Sequence, residues 1–166
     1  MSIYIFFLIL HIFSAMFWIG GMMFFLIVVL VVFKKPEFAK EKNSLFFETA
    51  IAFRNISYYI FLTLFISGFF LLYEKRYLHL LVIPSNWIEL KNIFLYIKII
   101  LFIFLIGLST LHDFIIGPKV KRLLENNSNS YETYRKLANI LGRMNFVISF
   151  AIVILGIFIS RGILGI

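Results

Sequence analysis

From Ile3 to Phe33 the chain runs for 31 residues without an Asp, Glu, Lys or Arg. A helix rising 1.5 Å per residue needs only about 20 such residues to cross a hydrocarbon layer about 30 Å thick. Lipid offers no partners to backbone N–H and C=O groups, so the run is expected to be a membrane-spanning helix that tilts or protrudes at its ends. It is also far longer than the roughly 7 to 15 apolar residues of a secretory leader, and is therefore read as a retained span. Three further apolar stretches follow: Ile56 to Tyr73, Ile93 to Ile116 with one internal lysine, and Phe146 to Ser160 with the apolar tail behind it. None shows the alternation that barrel strands require. The expected fold is all-α: a polytopic four-helix transmembrane bundle, one domain over 1–166, with spans near 3–33, 56–73, 93–116 and 146–164. Composition supports this. The chain is 62% hydrophobic and 14% charged, whereas soluble chains run at about 45–50% and about 25%, which sets aside water-soluble enzymes, disordered tails and nucleic-acid modules.

The net charge of +8 matters through its placement. The connections and flanks between spans one and two carry Lys34, Lys35, Lys40, Lys42 and Arg54. Those between spans three and four carry Lys119, Lys121, Arg122, Arg135, Lys136 and Arg143. The opposite side holds only Lys75, Arg76, Lys91 and Arg161. The bias of Lys and Arg toward the cytoplasm then puts both basic loops inside, both termini outside and Trp87 in an external interfacial belt, as for a protein of a bacterial-type inner membrane. The run Asn126 to Ser130 is expected to be a polar turn in the second basic loop. There is no cysteine, which removes disulfides, thiolate ligands and a cysteine nucleophile.

Polar side chains are costly in hydrocarbon, so the few present mark the inward face of each span. On span one His11, Ser14, Ala15, Trp18, Gly21, Met22 and Phe25 recur at helical spacing. Span three repeats this with Lys98, Phe102, Leu105, Ser109 and His112, span four with Asn145, Ser149, Ile152, Gly156 and Ser160, and span two has Thr63 and Ser67 one turn apart. Small residues on such faces permit close approach of helices. Arg54-Asn55 before span two and Arg143-Met144-Asn145 before span four are each followed by a serine and a later glycine, Gly68 or Gly156. This is weak evidence of a duplicated hairpin.

Depth separates the candidates. At the rise of a helix, His11 and His112 stand roughly 20 to 25 Å apart along the membrane normal and cannot share one metal or one haem iron. An outer site would combine His11 with Lys98 and His79, the latter folding back from the external loop. An inner one would combine His112 with Asp113, Arg54, Arg143, Met144 and Asn145. Each has a plainer reading: histidines as hydrogen-bonded packing groups, Lys98 snorkelling to the interface, His112–Asp113 as a helix-end network, and Met22, Met144 and Trp18 as core filling.

Leu10-His11 followed by Trp18-Ile19-Gly20-Gly21 resembles the opening LH...WxGG of the copper-resistance D (CopD) family of inner-membrane proteins. The Ser67-Gly68 pair, Lys98 within span three and Pro118 after it agree with that resemblance, which covers most of the chain. It implies a transition-metal function, with His11, Met22, His112 and Met144 as copper ligands along the span axis. The chain is also similar to the HemJ-like group of four-helix membrane proteins, through the first-span His and Trp, Lys98 followed by His112, and Arg143-Met144-Asn145. It lacks that group's Pro-Arg after the first-span glycine and its Asn-Glu-x-Pro run. This second resemblance implies a b-type haem with His11 as axial ligand and Trp18, His79, Lys98 and Arg161 around it, the cations meeting propionates. A structural subunit of a homodimer or larger membrane complex is the third reading. No Ser-His-Asp set, phosphate-binding glycine loop or pair of intramembrane carboxylates is present, so no catalytic residue is expected.

Overall fold

Apolar side chains favour helix wherever the backbone must satisfy itself, and four helices here are long and apolar enough to cross a membrane. The computed structural model describes residues 3–32, 35, 37, 42–78 and 90–161, and contains no strand among them. Helix α1 covers Ile3–Val32 and includes a π-helical turn at Phe25–Val29. Helix α2 is Lys42–Glu74. Helix α3 comprises Leu90–Thr110, a π-helical turn at Leu111–Ile116 and Gly117–Glu125. Helix α4 is Tyr131–Ser160. The chain forms two compact units, Met1–Leu78 and His79–Ile166, each a helical hairpin. Of the residues singled out above, Phe33, Lys34, Lys40, His79 and Trp87, and the end of span four at 162–164, lie outside the described set.

Three helices outrun the apolar stretches that announced them. Helix α2 begins well before Ile56, α3 continues past Ile116, and α4 starts fifteen residues before Phe146. Hydropathy marks only the part immersed in lipid, whereas a helix continues through polar sequence until a turn residue stops it. Between α3 and α4 the stop is the expected asparagine-serine run. Asn127 takes a left-handed conformation, φ 48°, its N–H bonding Leu124 O and that of Ser128 reaching Leu123 O. This is the two-bond closure common at helix C-termini, with asparagine in the position glycine often fills. Arg76, φ 57°, closes α2 in the same way, through Arg76 N to Tyr73 O and Tyr77 N to Leu72 O.

In the first hairpin, α1 and α2 run antiparallel in a register set by rings. Phe7 stacks on Phe70 with centroids 4.0 Å apart, Trp18 packs against Phe61 at 4.4 Å and Phe53 at 5.7 Å, and Phe25 meets Phe46 at 5.5 Å. Ser14, Trp18, Met22 and Val29 are the buried residues of α1, so the polar stripe read from the sequence is the face turned to α2. The opposite face of α1, with Phe13, Phe17 and Phe24, is exposed on the hairpin, as lipid-facing positions are. In the second hairpin the register is fixed near one end by Lys98 against Gly156 and near the loop by Lys119, whose Nζ donates to Tyr134 Oη at 2.6 Å. Leu105, Leu108, Ser109, Asn145 and Ser149 are buried between α3 and α4.

Candidate functional site

His11 sits eight residues into α1 on the face that packs against α2. Its Nδ1 lies 2.9 Å from Ser67 Oγ, and Ser67 is fully buried. Ser67 has one hydroxyl proton, and its closest acceptor is the Thr63 carbonyl one turn earlier, at 2.6 Å. With that proton committed, Nδ1 of His11 is the donor to Ser67 Oγ, and the neutral ring keeps its lone pair on Nε2. The ring fits because position 68 is glycine: a Cβ there would stand 3.3 Å from His11 Cε1 and 3.7 Å from Nδ1. Thus a serine fixes the ring's tautomer and a glycine provides its seat, both from α2. Serine hydroxyls in apolar helices ordinarily satisfy themselves on the carbonyl four residues back. Here that habit leaves the serine oxygen able to receive a second, incoming proton.

Two turns along α1, Trp18 is 6% exposed and lies between Phe53 and Phe61. Trp18 is therefore a packing element of the α1–α2 seam. Met22 is also buried there, but it is eleven residues from His11, about 16 Å along the axis, so the two cannot bind one ion.

The second hairpin repeats the layout with different chemistry. Lys98 of α3 lies over Gly156 of α4, where a Cβ would approach Nζ to 3.1 Å. In both hairpins a nitrogen-bearing side chain of the first helix rests on a glycine of the second, and a π-helical turn follows thirteen or fourteen residues later, at Phe25 or Leu111. This parallel strengthens the weak repeat seen in sequence. Nearer the loop, His112 Nδ1 is 2.7 Å from Asp113 Oδ1, with both side chains partly exposed. The carboxylate fixes Nδ1 of His112 as the N–H donor of the pair. Asn145 is buried, whereas Arg143 and Met144 are exposed on the hairpin. Arg161 is exposed just beyond α4, its N–H bonded to Ile157 O.

Among the described residues no three His, Asp or Glu side chains gather as a metal-binding cluster. The structure brings together His11, Ser67 and Gly68 in one hairpin, and Lys98 with Gly156, and His112 with Asp113, in the other. Ser67's role was only half visible in sequence: it was recognisable as a polar stripe member beside Thr63, but its pairing with His11 needs the register of the two helices. Comparison with protein-family profiles, curated proteins and solved structures finds no match to this chain. Fold and site together define a class: an all-helical, membrane-spanning type of protein with an oriented imidazole in a helix–helix seam.

Removing the orienting hydroxyl gives a direct test of what the seam does. Groups that hydrogen-bond the far nitrogen of ligating histidines typically contribute 10- to 100-fold in metal affinity. If His11 is a ligand, Ser67→Ala weakens its binding of a metal or haem at least about tenfold, as measured by titration, while leaving helical content by circular dichroism unchanged.

Proposed function

We propose that this protein is an integral membrane protein that holds a transition metal through Nε2 of His11, with copper handling as its function. The observation that carries the reading is the bond from His11 to Ser67: a partly buried ring held by Nδ1–H on a fixed acceptor, with Nε2 as its lone-pair nitrogen, is the arrangement of ligating histidines. Imidazole suits copper, and thioether suits Cu(I). The buried Met22 lies further along the same face of α1, and the second hairpin separately carries His112, held by Asp113. The resemblance of the first span to the copper-resistance D family supports this reading. So does the bias of eleven cations in and beside the two basic connections over four on the opposite side, which favours basic connections in the cytoplasm, termini outside, and an inner membrane as its home.

A specific observation favours b-type haem as the second reading. Among the described residues no three His, Asp or Glu side chains gather as a metal-binding cluster, and a porphyrin brings four nitrogens of its own, so one imidazole from the protein suffices to hold it. Metal analysis and an absorption spectrum on one detergent-purified sample decide between the two. Copper near one equivalent without a Soret band supports copper handling. A Soret band with iron supports haem. Neither metal after expression in copper- and haem-replete cells refutes both, and co-purification with a larger complex would then favour a structural subunit.

A further inference from the structure

Ser109 and Asn145 present a polar arrangement inside the second hairpin that the preceding reading does not use. Ser109 is 2% exposed and Asn145 7%, and neither Ser109 Oγ nor Asn145 Oδ1 has a hydrogen-bond partner among the described residues. The two stand at the same level. Ser109 lies eleven residues after Lys98 and Asn145 eleven before Gly156, and the Lys119–Tyr134 bond keeps that register toward the loop. Ser109 also departs from the local habit. Ser57, Ser67 and Ser149 each donate to the carbonyl four residues back, and so does Thr110 beside it, yet Ser109 does not. A hydroxyl donor and an amide acceptor, both withdrawn from lipid and facing one seam, are costly unless a third group joins them.

We propose that Ser109 and Asn145 form a buried water-binding site, in which one water accepts from the Ser109 hydroxyl and donates to Asn145 Oδ1. Water fits this pair better than a metal cation: the two oxygens are neutral, and the nearest carboxylate on α3, Asp113, is already engaged with His112. The site also has a direction. His112 follows Ser109 by three residues on α3, across the start of the π-helical turn, a distortion frequent at functional sites in helices. Water here extends the hydrogen-bonding reach of the His112–Asp113 pair by about one turn into the apolar part of the hairpin, providing a polar step for solvent exchange or proton movement from the loop end inward.

The test uses the full chain in lipid nanodiscs, with Ser109→Ala, Asn145→Leu and the double variant. If a water joins the two groups, each single variant strands the other partner and lowers the unfolding temperature by about 3 to 6 °C, whereas the double variant returns to within about 2 °C of the parent. If the seam is dry, each single variant removes an unsatisfied group and the temperature stays level or rises, which overturns the proposal. Solid-state NMR with asparagine labelled in the side chain provides a readout independent of stability. Rapid magnetisation transfer from water to the Asn145 amide is expected, and its loss in Ser109→Ala. Absence of transfer in the parent protein refutes the site. A shift in unfolding temperature when sodium is exchanged for a bulky organic cation refutes water in favour of an ion.

Discussion

If His11 holds the metal or haem proposed above, replacing it with alanine abolishes that binding by the purified protein, reducing occupancy below about one tenth of the parent under the same loading. The fold should survive, because the substitution does not strand its partner: Ser67 Oγ still donates to the Thr63 carbonyl. The stability cost is then that of one partly buried hydrogen bond and the lost ring contacts, about 1–2 kcal/mol. The vacated space above Gly68 invites rescue, and free imidazole added to His11→Ala should restore part of the binding. Unchanged occupancy in His11→Ala, by metal analysis and by spectrum, would sink the proposed function. His112→Ala provides the contrast: its ring belongs to the other hairpin and is held by Asp113, so the His11 site should load normally without it.

The second large effect concerns two adjacent glycines. A Cβ at Gly21 would fall 2.5 Å from Phe53 Cε2, whereas a Cβ at Gly20 would meet nothing within 4 Å. Phe53 cannot easily yield, since its ring is stacked on Trp18 and lies near Phe25. Gly21→Ala should therefore force the α1–α2 seam apart and destabilise the protein by about 1–3 kcal/mol. Gly20→Ala should be neutral, or stabilising by up to about 1 kcal/mol through helix propensity. Thermal unfolding in detergent checks both, and equal effects of the two substitutions would contradict the packing described.

Much of the fold was legible because lipid imposes so few solutions. A 31-residue uncharged run can only be a spanning helix, and the polar stripe on it had to face a neighbour. His11, Ser14, Trp18 and Met22 accordingly line the seam with α2. What the sequence could not show was register. Thr63 and Ser67 looked like equivalent members of a stripe, and it is Ser67 that bonds His11, because the stacking of Phe7 on Phe70 and of Trp18 on Phe61 sets α2 at that height. Helix ends were likewise hidden at Lys42 and Tyr131, where polar sequence is still good helix former and hydropathy is silent. The glycines of spans two and four were visible as a repeat, yet their use as seats for an imidazole and an amine follows only from the paired helices.

Each hairpin closes its own polar face: His11 is answered by Ser67 on the next helix, and Lys98 rests on the glycine of the helix that follows it. During synthesis the first two helices can therefore pair as soon as α2 has left the insertion machinery, since chains assemble from the N-terminus onward. The imidazole need not wait in the bilayer for the third and fourth helices, and the newborn chain enters the membrane in two self-sufficient instalments.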